Sequence, residues 1–280
     1  PTLSLPPLTP PPARPRPAPP PSPPPLPPRP CPPSAPPMPF PLLALAFSWL
    51  SPRSAPPLPS PPPPAALARK SQQHLFRHTF LVANDMLIRL PLDGVRNLRH
   101  LVKQHDRPGI LHTHVEAFRP RHKLRWSADA QRMMGVPNAG GSSQQSEVLS
   151  LEVLARSFGA RLEMTEMELR YTHQSKITDF AVTIFGEHAI GVSVTRAINW
   201  PLLDLTSDDA YRLLHKKLKA IQISNQNVLN YKWRKQVLHV WARSYRDAQL
   251  LEEQYQRIPL SVRGNSIVII TLCNGMDWIW

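Results

Sequence analysis

Cysteine is scarce in this sequence, with only Cys31 and Cys273 among 280 residues. Two thiols so far apart form neither a disulfide framework nor a zinc quartet, which excludes a cystine-stapled fold and a zinc finger. Cys273 ends an apolar run that predicts a buried strand. We expect a reducing compartment, either the cytoplasm or the nucleus, because thiols stay free there.

Long apolar runs are also missing. The run at residues 42–50 has about ten residues where a membrane span needs roughly 20, and no basic leader precedes it, so it predicts neither a span nor a signal peptide. Glycine is sparse, at 10 residues, and no glycine-rich loop is followed by Lys-Ser or Lys-Thr. Phosphate-loop, dinucleotide-binding and serine-nucleophile signatures are therefore excluded.

Proline is abundant but confined to one end of the chain: 31 of the 37 prolines lie in residues 1–64, which contain no acidic residue. Such a segment forms neither sheet ladders nor helices and populates extended polyproline II. We therefore predict a disordered, proline-rich tail at residues 1–66. Its Pro-x-x-Pro repeats are the kind of ligand that SH3 and WW domains bind.

The net charge of +14 is unevenly spread. Residues 69–135 carry 13 Lys or Arg against 5 acids, residues 145–205 carry 5 against 8, and residues 206–263 carry 11 against 5. An acidic centre between basic flanks suits a protein that handles phosphodiesters, because cations hold the backbone and carboxylates hold a metal. The same pattern is equally typical of a solvated basic surface.

Residues 67–135 are predicted to form a basic, histidine-rich extension, and the pattern leaves its secondary structure largely open. The segment from Val95 to Val102 has helical spacing. His112 and His114 would share one face of a strand, as in some metal sites, but no third ligand follows at a recognisable spacing. An insertion or a weakly ordered extension is the alternative to a metal site here.

A β-hairpin from Ile177 to Ala197 organises the rest of the chain. Both halves alternate and are rich in β-branched residues, and a Gly-Glu-His turn joins them. Asp179 is the one carboxylate on the first strand, on its less apolar face, and Arg196 ends the second strand.

Helices and further strands surround this hairpin. A helix from Gln144 to Phe158 should end at Gly159 in a left-handed conformation, and a helix after Pro201 should be capped by Thr206 or Ser207. The complete predicted order is helix 144–158, strand 160–172 with a bulge near Thr165, hairpin 177–197, helix from about 207, strand 236–242, helix 247–257 and a central strand 266–273. This order predicts an α/β domain at residues 136–280, in which helices flank a mixed sheet.

The same order resembles the PD-(D/E)XK nuclease-like core, also called restriction-endonuclease-like, which runs αβββαβ. By position, Asp179 matches the acid of the second strand and Glu147 the acid of the first helix. On the third strand, where that family has an acid-x-Lys triplet, this chain has Ser193 and Thr195, and Arg196 follows one position late.

The resemblance implies a Mg²⁺ site and a nucleic-acid substrate. Glu147, Glu166 or Glu168 would have to replace the missing acid, and Arg196 or Lys176 the missing cation. The residues expected to act in catalysis are Asp179, Glu147, Glu168 and Arg196, and the expected metal ligands among them are Asp179 and Glu168. The residues expected to bind nucleic acid are Lys216, Lys219, Lys232 and Arg234. The chain is then either a divergent metal-dependent nuclease or an inactive relative that keeps the fold.

A closer resemblance covers residues 133–274. The sequence there resembles an uncharacterised eukaryotic family, found among protists and fungi and named after an AAC-rich mRNA clone. The strings that carry the resemblance are Met134-Gly-Val-Pro-Asn-Ala-Gly-Gly-Ser-Ser, Thr165-Glu-Met-Glu, Ser175-Lys-Ile-Thr-Asp, Gly191-Val-Ser-Val-Thr-Arg-Ala, Leu213-Leu-His-Lys-Lys-Leu and Val237-Leu-His-Val-Trp. The resemblance implies no activity, since the family has none established.

Two hypotheses follow from the sequence. The first is an intracellular, nucleic-acid-associated protein with a nuclease-like core, whose carboxylates converge in a cleft lined by the four basic residues named above. The second is a non-catalytic protein-interaction scaffold, whose proline-rich tail binds partner domains.

Overall fold

The computed structural model describes residues 78–137, 143–172, 176–199 and 204–280. The predictions about the proline-rich tail, its Pro-x-x-Pro repeats and Cys31 lie outside these residues.

The described residues form one eight-stranded sheet with helices on both faces. Two single-turn 3₁₀ helices lie at Arg121–Lys123 and Asp277–Ile279. The strands are β1 (His78–Val82), β2 (Met86–Pro91), β3 (Gly109–Ala117), β4 (Arg161–Thr165), β5 (Phe180–Ile184), β6 (His188–Arg196), β7 (Lys235–Ala242) and β8 (Ser266–Asn274). The helices are α1 (Gly94–Lys103), α2 (Ala128–Gly135), α3 (Gln144–Phe158), α4 (Ser207–Asn227), α5 (Tyr245–Arg257) and the short α6 (Leu260–Arg263).

The sheet is mixed, which confirms the predicted α/β class. Its strand order is β1-β2-β3-β8-β7-β6-β5-β4. The four central strands β3, β8, β7 and β6 are parallel to their neighbours within that group, and antiparallel strands complete both edges. Strand β8 lies in the centre with apolar side chains on both faces, as its sequence predicts for a strand covered on both sides.

Strand β7 shows how the two faces of the sheet are covered. Val237 and Trp241 pack in the core beneath α1, α2 and α3. Leu238 and Val240, which alternate with them, pack in the core beneath α4 and α5. Alternate side chains of a strand point to opposite faces, so the fold is a three-layer sandwich. None of the helices in the described ranges combines the length and the apolar character that a membrane crossing needs.

Local sequence signals set most of the helix ends. Gly159 adopts φ 66° after α3 and its N–H bonds the carbonyl of Ala155, as expected of a left-handed cap. Helix α4 begins with a capping box in which Thr206 accepts the N–H of Asp209, and Asp209 accepts the N–H of Thr206. Helix α5 starts two residues earlier than predicted because Ser244 forms a second capping box.

Strand β4 is shorter than the predicted strand 160–172. It ends at Thr165, and its register against β5 shifts between Leu162 and Met164, slightly before the predicted bulge. The chain turns after Thr165 because the side chain of Glu168 accepts hydrogen bonds from both the N–H and the hydroxyl of Thr165. A side chain that binds the backbone in this way competes with the sheet ladder.

Residues 78–117, which the sequence analysis assigned to an extension, contribute three strands to the same sheet. The predicted helical segment is α1, and its Leu98 and Val102 are buried in the core shared with α3. Arg156 of α3 joins this part of the chain to the rest, because it donates two hydrogen bonds to Asp85 at 2.8 and 3.1 Å and one to Glu152 at 2.6 Å.

Candidate functional site

Asp179 stands immediately before β5 and is held against the middle of β6. Its N–H donates to the carbonyl of Val192 at 3.1 Å, and one carboxylate oxygen accepts the N–H of Val194 at 2.5 Å. The side chain is half-buried. The hairpin predicted from the sequence therefore holds Asp179 by backbone contacts on the neighbouring strand.

Two glutamates share a narrow crevice with Asp179. Glu147 comes from the first turn of α3 and is only 5% exposed, and Glu166 comes from the turn that follows β4. The free volume between these walls is about 10 Å³, roughly what one water molecule requires. The other lining residues are Met133, Val136, Pro137, Gln144 and Thr165.

The crevice keeps Asp179 in its protonated form to a higher pH than usual. Burial is the largest cause of the raised pKa of Asp179, and the charges of Glu147 and Glu166 raise it further. The hydrogen bond from the N–H of Val194 and the charge of Lys217 act in the opposite direction without cancelling the rise. A carboxyl group in this setting shares its site with like charges and tends to hold a proton.

Lys217 and Tyr171 are neighbours of this crevice that the sequence analysis missed. The charge of Lys217 acts on Asp179 from α4, where the lysine is half-buried two turns after Ala210. That spacing puts Lys217 at the edge of the buried stripe and could have distinguished it from its exposed neighbours. The hydroxyl of Tyr171 accepts the N–H of Thr178 at 2.8 Å, beside Asp179.

Glu168, the second metal ligand expected from the sequence, is engaged elsewhere. Its two carboxylate oxygens accept hydrogen bonds from Arg132 at 2.7 and 2.8 Å, and one of them also accepts the N–H of Thr165. Burial pushes the pKa of Glu168 upward, but the Thr165 and Arg132 contacts outweigh it, so the pKa is lowered. Glu166, two residues earlier, lines the crevice instead.

Arg196, the cation expected from the sequence, contacts the C-terminal segment of the chain. It is the last residue of β6, and its guanidinium donates to the carbonyl of Ile279 near the C-terminus at 2.7 Å. Ser193 and Thr195 occupy the positions at which the nuclease-like family has its acid and lysine, and neither carries a charge. The structure therefore brings together Asp179 and Glu147 from the expected catalytic set.

The described part of the chain contains no three carboxylate, histidine or cysteine side chains arranged to hold a metal ion. In the crevice, one oxygen of Asp179 already accepts a backbone N–H, whereas Mg²⁺ requires near-octahedral oxygen ligands. The arrangement of these residues does not fit the Mg²⁺ site that the resemblance implies.

The four expected nucleic-acid ligands are exposed, and none of them lines the crevice that contains Asp179. Lys216 and Lys219 lie on the solvent side of α4. Lys232 and Arg234 immediately precede β7, whose first residue pairs with Ile190 near the start of β6. Asp179 instead contacts β6 at Val192, four residues after the first residue of that strand. Four residues correspond to roughly 13 Å along a strand.

His112 and His114 have separate neighbours. The His112 Nε2 atom lies 3.3 Å from a carboxylate oxygen of Glu252, and the His114 Nε2 atom lies 3.0 Å from the Asn274 side chain. No described third ligand completes a metal site with this pair.

A buried Ser–His–Thr chain lies in the core and was not predicted. His239 of β7 contacts Ser150 of α3 at 2.5 Å through Nδ1 and Thr271 of β8 at 2.6 Å through Nε2, and Thr271 contacts Thr113 of β3. Burial lowers the pKa of His239 to about 3, so the imidazole is neutral. Because all four side chains are buried, this chain satisfies polar groups inside the core and offers no access to a substrate.

Comparison with known proteins supports the closer of the two resemblances. The chain is similar to the AAC-rich mRNA clone AAC4 protein of Dictyostelium discoideum, with 42% identity over 161 residues that make up 55% of this chain and 24% of that protein. The chain thus spans about a quarter of the relative's length. No family model matches the sequence. No solved structure matches it either, and the nuclease-like resemblance stays a prediction.

Proposed function

We propose that this chain is a nucleic-acid-associated protein built on a divergent PD-(D/E)XK nuclease-like core that binds nucleic acid without metal-dependent cleavage. The observation that carries the proposal is the path α3-β4-β5-β6-α4-β7, in which Asp179 of the hairpin and Glu147 of the first helix meet in one crevice. That is the helix–meander–helix–strand order that the resemblance requires.

The absence of cleavage rests on the ligands around Asp179. The third-strand positions are Ser193 and Thr195, the expected cation Arg196 binds a carbonyl, and Glu168 binds Arg132. The positions that carry an acid and a lysine in the nuclease-like family are therefore uncharged here, and those two groups would hold the metal ion and orient the attacking water in such hydrolysis.

Binding rests on the surface charge. The chain carries a net charge of +14, and the proposed ligands, Lys216 and Lys219 on α4 and Lys232 and Arg234 before β7, are all exposed. Each lysine or arginine that neutralises a phosphate releases a counterion, which makes affinity depend on salt.

The test uses the full chain with fluorescent single- and double-stranded DNA and RNA, with anisotropy measured at several salt concentrations. We expect micromolar or tighter binding at low salt. Replacing Lys216 and Lys219 together by Ala should reduce the slope of log affinity against log salt by about 1.4 for single strands. Arg161→Ala, which removes an exposed charge at the far edge of the sheet, is the control and should leave most of the slope intact.

The same samples are then incubated with Mg²⁺ or Mn²⁺ and analysed for cleavage. The proposal expects no cutting that depends on Asp179. Metal-dependent cleavage that disappears in Asp179→Ala would show an active nuclease and refute the non-cleaving part. Absence of binding to every probe would refute the nucleic-acid part and favour the interaction scaffold.

A further inference from the structure

A basic pocket lies at the end of the sheet where the central parallel strands β6 and β7 begin. Its volume is about 420 Å³, within the range of small-molecule sites. The end of α1 and the loop after it form one wall, and the β5–β6 turn forms the opposite wall. The lining residues are Val102, His105, Glu187, His188, Ala189, Lys232, Arg234 and Lys235. The pocket is separate from the carboxylate crevice, with which it shares no lining residue.

Lys235 is the feature that distinguishes this pocket from an ordinary basic surface. The residue is only 1% exposed, and its ammonium donates to the backbone carbonyls of Gln104 at 2.6 Å and of Arg107. An ammonium group has three N–H donors, so these two contacts leave a third donor for a ligand in the pocket. Burial lowers the pKa of Lys235 to about 8, against the charge of Asp106, and a bound anion would stabilise its charged form.

The charges around the pocket favour an anion with about two negative charges. Lys232, Arg234 and Lys235 are positive, and Glu187 is the one acid in the lining. Glu187 is itself paired with Arg99 at 3.4 Å, outside the pocket.

Arg234 has a neighbour that helps to orient it, since its Nη1 atom lies 3.4 Å from His105 Nε2. A guanidinium presents paired donors that match the oxygens of a phosphate.

We propose that this pocket binds a phosphomonoester group, which carries about −1.5 to −2 charges at neutral pH where a phosphodiester carries one. The terminal phosphate of a nucleic-acid strand and a small phosphate compound share this chemistry. For the terminal phosphate of a nucleic-acid strand, the inference rests on the proposed function, and Lys232 and Arg234 then bind the end of that nucleic-acid strand.

The test compares two single-stranded oligonucleotides of one sequence, labelled at the 3′ end and carrying either a 5′-phosphate or a 5′-hydroxyl. Anisotropy with the full chain at pH 7 should show about tenfold or tighter binding of the phosphorylated strand, as expected for charge-assisted hydrogen bonds. Arg234→Ala and Lys232→Ala should each remove most of this preference. Both residues are exposed, so these variants avoid the folding defect that replacing buried Lys235 risks. Arg161→Ala should preserve the preference.

Calorimetric titration with inorganic phosphate and with pyrophosphate separates the possible sources of the ligand. Binding of either anion to the wild type but not to Arg234→Ala, without binding of either oligonucleotide, would support the pocket and refute the nucleic-acid function. Equal, salt-dependent binding of both oligonucleotides, with no binding of the free anions, would refute the pocket and leave the nucleic-acid function standing. A 5′-phosphate preference that survives Arg234→Ala and Lys232→Ala would also refute the pocket.

Discussion

Replacing Arg156 by Met tests how α3, the helix that carries Glu147, is held against the N-terminal strands. The guanidinium of Arg156 lies between Asp85 and Glu152, whose side chains are each about 3% exposed. Met preserves most of the apolar stem of the arginine and removes its charge. The substitution leaves two buried carboxylates without their shared cation.

The structure sets the size of the expected effect. The hydrogen bond from Arg156 is the largest cause that lowers the pKa of Asp85 from 3.8 to about 2, which corresponds to about 2 kcal/mol for this carboxylate alone. Glu152 accepts a further bond from the Arg156 Nε atom at 2.6 Å. Removing one partner from a buried ionic group costs about 3–5 kcal/mol, and we expect the free energy of unfolding to fall by that amount at pH 7.

The loss should depend on pH. The lowered pKa of Asp85 contributes stability that is fully present above its unfolded-state pKa of 3.8 and is lost as the pH falls through about 2. In Arg156→Met, Asp85 loses the hydrogen bond that lowers its pKa and takes up a proton at higher pH, so the variant regains stability on acidification. The difference between the two proteins should therefore be largest near neutral pH and narrow below about pH 4.

Urea unfolding of the full chain between pH 2.5 and 8 measures this difference. Arg99→Met is the matched control, because Arg99 pairs with Glu187 at 3.4 Å on the surface, with more than half of both side chains exposed. Exposed pairs contribute about 0–1 kcal/mol. A loss below about 1 kcal/mol for Arg156→Met, or a loss that does not change with pH, would refute the reasoning.

Two further predictions concern the hairpin. Asp179→Asn should lose less stability than wild type as the pH rises from 5 to 8. The pKa of the Asp179 carboxyl is raised by burial and by Glu147, so this group contributes stability that disappears as the pH rises through that pKa. Parallel pH profiles of the two proteins in thermal unfolding would contradict this. Gly191→Ala should destabilise by about 1–3 kcal/mol, because its new Cβ would lie 2.5 Å from the Trp233 ring, and urea midpoints unchanged from wild type would contradict that.

The core elements were predictable because their signals are local. The apolar spacing from Gln144 to Phe158, followed by Gly159, predicts α3 with the bounds that the structure has. The alternation of the hairpin predicts β5 and β6, and the apolar run at residues 266–273 predicts the central strand. Periodicity and capping act within a few residues, and a sequence displays them directly.

The neighbours of Asp179 depend on the path of the chain between elements. A strand continued to Thr172 would have put Glu166 and Glu168 on one face, but Glu168 closes a turn at Thr165 and Glu166 lines the crevice. The pairing of Glu168 with Arg132 of α2 brings together residues 36 positions apart. No local pattern encodes such a contact.

The sequence by itself determined helices α1, α3, α4 and α5, the hairpin, the central strand and the uneven distribution of charge, because these follow from short-range periodicity, capping and composition. Only the tertiary structure decided that residues 78–117 complete the sheet, through contacts such as Thr113 with Thr271, 158 positions apart. The tertiary structure also separates Asp179 from Lys232 and Arg234. Asp179 contacts the middle of β6, whereas Lys232 and Arg234 lie before β7, at the end of the sheet where the parallel strands begin. Parallel strands need long crossovers between them, so their neighbours in space are distant in the chain.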